Sequence, residues 1–177
     1  MIIDTGNYRI DLNSLVSTVI TDTYRGIYSR LDRTCGCDAA VWAISYAVNY
    51  DSLCGKLDLG MRYFAESSHG FFGGEKCVLK VVSDILEASE IKKRIREIRS
   101  AVKCAMRSLP AAERKMLFYL IKGKSVNKIG SLFGKSRRVT LETLDKALLK
   151  LGKYLSVIGV DDGFIADSNH LLSGKTL

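Results

Sequence analysis

The stretch from Ser125 to Leu155, SVNKIGSLFGKSRRVTLETLDKALLKLGKYL, constrains the fold of this chain more than any other. Ile129, Leu132 and Phe133 fall on one helical face, and Gly134 then breaks the pattern, where a helix ends most cheaply with a left-handed residue. Ser136 is placed to cap a second helix with its side-chain oxygen. In that helix Leu141, Leu144, Leu148, Leu151 and Leu155 recur at spacings of three and four, the period of an amphipathic helix. Two helices joined by a short glycine-containing turn fit a helix-turn-helix.

The second helix opens with Lys135, Ser136, Arg137 and Arg138. Backbone N–H groups, the positive end of the helix dipole and the cations therefore gather where a phosphate would sit. Thr140, Glu142 and Thr143 come next, polar positions suited to base edges in a major groove. Short amphipathic helix pairs with basic ends also occur in bundles that never touch DNA, so the spacing leaves that alternative open. Charge distribution bears on the choice. Residues 1–90 carry 8 Lys and Arg against 12 Asp and Glu, a net of −4, whereas residues 91–177 carry 19 against 7, a net of +12. The overall +8 is thus concentrated on the half that holds the motif, as an electrostatic footprint for nucleic acid would be.

With 177 residues and 47% hydrophobic content, the chain can bury a core of one domain or two small ones. The longest apolar stretch, residues 39–48, is too short to span a bilayer, and the acidic start MIIDTGNYRIDL is unlike a secretory signal. A cytoplasmic protein with no membrane partner is expected. Five cysteines, Cys35, Cys37, Cys54, Cys77 and Cys104, show no paired Cys-x-x-Cys spacing and fit reduced thiols better than a disulfide framework. Zinc held by Cys35, Cys37, Cys54 and His69 is a weaker reading than buried thiols, so no metal and no cofactor is expected. Only His69 and His170 are available for acid–base work, without a nucleophile triad or phosphate loop, and an enzyme is not expected.

One proline and few alternating patterns predict an all-α protein. A first helix is expected from Leu12 to Asp32 behind an Asp11 cap, with Leu15, Val19, Ile20, Tyr24, Ile27 and Leu31 facing inward. A second runs from Asp38 to about Tyr50, apolar on most sides. Gly55 and Gly60 then flank a short segment, and RYFAESSHGFFGGE reads as a loop or helix end. Glu75 to Ser108 is the longest candidate helix, with a break placed near Ala88 to Glu90. Its seam is Ile91, Ile95, Ile98, Val102 and Ala105, and Lys92, Lys93, Arg94, Arg96 and Arg99 make the other side cationic, a solvated face or a contact for nucleic acid or an acidic partner. Pro110 opens the helix Ala111 to Ile121, and Gly123 ends it. After Leu155 the chain is a short docking tail or a frayed end.

The order LP-AAERKMLFYL-IKGKSVNKIGSLFGKS followed by LETLDKALLKL resembles the region-four helix-turn-helix of bacterial and phage RNA polymerase sigma factors. Ile129, Gly134 and Ser136 stand at matching places, and Leu144, Lys146, Ala147, Leu148 and Leu151 match the recognition helix. LuxR-type regulator domains share much of this pattern. A weaker likeness joins NYDSLCGKLDLGMRYF to sigma region two through Tyr50, Asp51, Gly55, Lys56, Leu57, Tyr63 and Phe64. The chain departs from the family at AAVWAISYAV, nearly bare of charge where the clamp-docking helix is usually acidic, and at Val139 and Thr140, where Thr-Val is common.

The resemblance implies two small helical domains joined by a long linker helix: 1–74 like region two, 75–108 the linker, 109–156 like region four, and 157–177 a tail. It implies a sigma-like transcription initiation factor that binds double-stranded promoter DNA and core RNA polymerase, with an anti-sigma protein as a further partner. Lys135 and Ser136 would meet phosphates, Arg137, Arg138 and Glu142 would read bases, and Thr140, Thr143 and Lys146 complete the expected DNA-binding set on the same helix. Tyr63 and Phe64, with Phe71 and Phe72, would stack on melted bases or simply pack. Two alternatives stay open: a phage- or LuxR-type regulator whose N-terminal half binds an effector or dimerises, with the 38–48 helix as a dimer face, and a basic protein-interaction module that grips polymerase or an anti-sigma protein. Packing of the acidic half on the basic half would cover Arg137 and Arg138.

Overall fold

The computed structural model describes residues 2–4, 9–31, 38–70 and 75–173, with side chains for 11, 13–31, 38–63 and 82–172. Apart from a short N-terminal ribbon, these residues are helical. Strands β1 (Ile2–Asp4) and β2 (Arg9–Asp11) pair antiparallel with Ile3 opposite Ile10. The helices are α1 (Leu12–Leu31), α2 (Asp38–Gly70), α3 (Glu75–Ser108), α4 (Ala111–Ile121), α5 (Val126–Leu132), α6 (Arg137–Val157) and α7 (Asp162–Ser173).

Asp11 caps α1 as expected, its carboxylate accepting from the Asn13 N–H at 3.1 Å. Val16, Ile20, Ile27 and Leu31 form the buried stripe, with Leu15 on the outside instead. Asn13, also buried, donates its amide to Glu87 at 2.7 Å and ties α1 to α3.

Helix α2 does not stop near Tyr50 but continues through Gly55 and Gly60 to Gly70, so the expected short segment and loop are helix. Interior glycine costs about 1 kcal/mol relative to alanine. Antiparallel packing on α3 offsets that cost. Leu53 and Leu57 are buried, Asp51 pairs with Arg99 at 3.1 Å, and Asp58 pairs with Lys92 at 2.5 Å. For the same reason α3 has no break at 88–90: Ala88 and Ile91 lie in the seam with Ile95, Ile98, Val102 and Ala105, all buried.

The segment expected to link two domains is therefore a core helix. Buried side chains from α1 through α7, Val16 to Leu172, form a single contiguous cluster that crosses the expected boundaries at 74, 108 and 156. Within the expected tail, residues 157–173 are not a frayed end either. Gly159, at φ +83°, ends α6, Asp161 accepts from the Phe164 N–H at 2.9 Å, and α7 packs Ile165, Ser168 and Leu172 inward. Tyr46 of α2 donates its hydroxyl to Asn169 of α7 at 2.7 Å, and burial pushes the pKa of that hydroxyl well above its ordinary value.

Among the described residues no helix is long and apolar enough to cross a membrane.

Candidate nucleic-acid interface

Three short-range devices set the shape of residues 109–157. Gly123, at φ +82°, ends α4, and Ser125 caps α5 by accepting from the Lys128 N–H at 3.4 Å. Gly134, at φ +62°, then reverses the chain, and the Lys135 N–H returns to the Gly130 carbonyl at 2.8 Å. Ser136 caps α6, accepting from the Val139 N–H at 3.4 Å.

Long-range packing fixes the angle between the two helices. A β-carbon at Gly130 would stand 2.6 Å from the Lys135 carbonyl oxygen and 2.8 Å from the Thr140 hydroxyl oxygen, so only glycine lets α5 sit this close to the start of α6. Thr140 is 0% exposed and donates to the Ser136 carbonyl at 2.8 Å. Beyond it Leu144, Ala147, Leu148, Leu151 and Leu155 are buried, and Lys150 reaches back to Glu113 of α4 at 2.6 Å. Phe133 packs edge-on to Tyr119 at 6.2 Å, while Leu132, expected on the inner face, points outward.

The sequence-expected contact residues divide accordingly. Ser136, Arg137, Arg138, Glu142 and Lys146 are exposed, and Lys135 and Thr143 are half-buried along the same rim. Arg138 has an 89% exposed side chain, so the acidic half of the chain does not cover it. Its guanidinium meets Glu142 one turn on at 3.0 Å. Thr140 is the exception: expected at base edges, it faces Gly130 and has no surface to offer. Thr143 directs its hydroxyl to the Val139 carbonyl at 2.7 Å. Two residues were missed at the sequence level. Gly130, four positions before Gly134, is the close-approach glycine, and Val139 is an apolar residue 43% exposed on the outer face of the first turn of α6.

Residues 109–156 carry 11 Lys and Arg against 3 Asp and Glu. The cationic run of α3 is differently employed. Lys92 and Arg99 pair with Asp58 and Asp51 of α2, Arg99 stacks 4.0 Å over the Tyr50 ring, and Arg94 lies 4.6 Å over Phe164 of α7. A hydrogen bond to Tyr50 raises the pKa of Arg96. Tyr50 and Asp51, matched to region two by resemblance, here hold α3. Much of this run is therefore internal glue rather than a free surface.

In the 38–48 segment, Ala40, Val41, Ala43, Ile44, Ser45 and Tyr46 are buried, and Trp42 stacks on Tyr24 at 4.2 Å. Asp38, at the start of α2, accepts from the hydroxyls of Tyr24 and Tyr28. The segment leaves Asp38 and Val48 exposed and Ala39, Trp42 and Ala47 half-buried. Tyr63 is half-buried, whereas the side chains of Phe64 and His69, and Phe71 and Phe72, lie outside the described residues. So do Cys35, Cys37 and the Cys77 side chain, while Cys54 is a buried thiol and Cys104 an exposed one. Among the described residues no three His, Cys, Asp or Glu side chains are grouped to hold a metal ion.

No protein-family model matches the chain, and comparisons with curated proteins and with solved structures find no match either.

Proposed function

We propose that this chain is a helix-turn-helix transcription factor that reads duplex DNA with the N-terminal outer face of α6. The observation that carries this reading is the division of α6. Its inner face is locked by the Gly130–Thr140 approach and the leucine stripe, while Arg137, Arg138, Glu142 and Lys146 project from the first half of its outer face. A rigid helix, a cationic N-terminus and protruding polar side chains are what major-groove reading requires. Arg138 suits guanine O6 and N7, Glu142 suits cytosine N4, and Lys135 lies in the turn between α5 and α6, where phosphates would pass.

The likeness to sigma region four supports a role in transcription initiation. Burial of Ala40, Val41, Ala43, Ile44, Ser45 and Tyr46 weighs against recruiting polymerase through the 38–48 segment, so a DNA-binding regulator is the preferred form of the proposal and a polymerase-directing factor the second. Selection of bound duplexes from a randomised pool by the intact chain, with core RNA polymerase offered in parallel, tests both. A recovered consensus without polymerase binding supports the regulator; a consensus with stoichiometric polymerase binding supports the sigma-like form. A pool that stays random contradicts the proposal.

A further inference from the structure

Val139 occupies the first turn of α6, directly after Arg138 and one turn before Thr143. Packing leaves much of it uncovered. The side chain is 43% exposed, and valine is a poorer helix former than alanine or the charged residues around it. Its neighbour on the same lane, Thr143, has its hydroxyl turned back to the Val139 carbonyl at 2.7 Å, which leaves a methyl as the other group on its β-carbon. The reading face therefore has two lanes. Arg138, Glu142 and Lys146 form a charged one, and Val139 and Thr143 form an apolar one beside it.

The major groove offers one apolar feature among its base edges, the C5-methyl of thymine. We infer that Val139 is a specificity-determining residue that selects thymine by packing against this methyl, with Thr143 closing the contact from the next turn. The inference rests on the proposed DNA-reading role of α6 and deepens it. The preferred duplex contains a thymine next to the base pairs met by Arg138 and Glu142, and the Val139 contact excludes cytosine there because its amino group would be desolvated against valine.

Replacing thymine by deoxyuridine removes only the methyl. The test takes the duplex recovered by selection, substitutes deoxyuridine for each thymine in turn, and measures affinity for the wild-type chain and for Val139→Ala. The expected result is one position where deoxyuridine weakens wild-type binding about fourfold, the equivalent of one methyl group no longer buried, with Val139→Ala indifferent to the change. Circular dichroism checks that the variant is folded. Selective binding with no deoxyuridine effect overturns the inference and leaves the DNA-reading role intact. Equal discrimination by wild type and variant also overturns the assignment to Val139. No sequence preference at all overturns the DNA-reading role and the inference together.

Discussion

The Thr140 hydroxyl oxygen of α6 lies 2.8 Å from the point a β-carbon on Gly130 of α5 would occupy, so the two helices meet where one of them has no side chain. Gly130→Ala should therefore destabilise the protein by about 1–3 kcal/mol despite the better helix propensity of alanine, because the Lys135 carbonyl beside it is backbone and cannot swing away. Urea unfolding measures the loss. Adding Thr140→Ala should recover only part of it.

The Arg138–Glu142 pair is exposed and one turn apart, an arrangement that contributes about 0.3–0.5 kcal/mol to a helix. Arg138→Ala should leave the unfolding midpoint almost unchanged and weaken DNA binding. Glu142→Gln should strengthen binding to non-cognate duplexes, since it removes an anion that the phosphates repel, and should relax selection at the cytosine position. A variant that lost stability and binding in equal measure would place Arg138 in the fold instead.

The Tyr46–Asn169 hydrogen bond joins α2 to α7, and Tyr46→Phe should cost about 1–2 kcal/mol by leaving the amide oxygen without its donor. The raised pKa of Tyr46 sets the sign of an alkaline effect. Above pH ~10 the unfolded chain loses this proton while the folded chain keeps it, so stability is full below that pH and falls as pH rises past it. Unfolding free energies measured between neutral and strongly alkaline pH should fall less steeply for Tyr46→Phe than for the wild type.

Arg99 joins α3 to α2 twice, through Asp51 at 3.1 Å and by stacking on Tyr50 at 4.0 Å. Arg99→Lys keeps the charge but not the planar stack and should cost on the order of 1 kcal/mol. Thermal unfolding checks this, and DNA affinity should not change if α3 is structural.

Local signals were legible in the sequence, and long-range ones were not. Gly134 and Ser136 act within one turn of chain, so the stop of α5 and the start of α6 stood where their residue types put them. The seam of α3 was legible because periodicity alone decides which side of a helix is apolar. Glycines at 55 and 60 pointed to a break in α2, yet the contacts that keep it helical come from Arg99, Lys92 and the α3 seam, far along the chain. Helix α7 was obscure for the same reason, its polar partner Tyr46 lying on α2. Thr140 was misplaced because a polar residue in a recognition helix reads as a contact until Gly130 is recognised as the gap it fills.

Sequence reading by α6 is tested most directly by fluorescence anisotropy of the selected duplex and a scrambled one, titrated with wild type and Arg138→Ala across a range of salt. If α6 reads bases, the selected duplex should be preferred roughly a hundredfold or more, affinity should fall steeply with salt, and Arg138→Ala should lose most of that preference. Equal affinity for both duplexes, falling with salt alike in both proteins, would contradict base reading by α6 and leave only a basic surface without a sequence-reading helix.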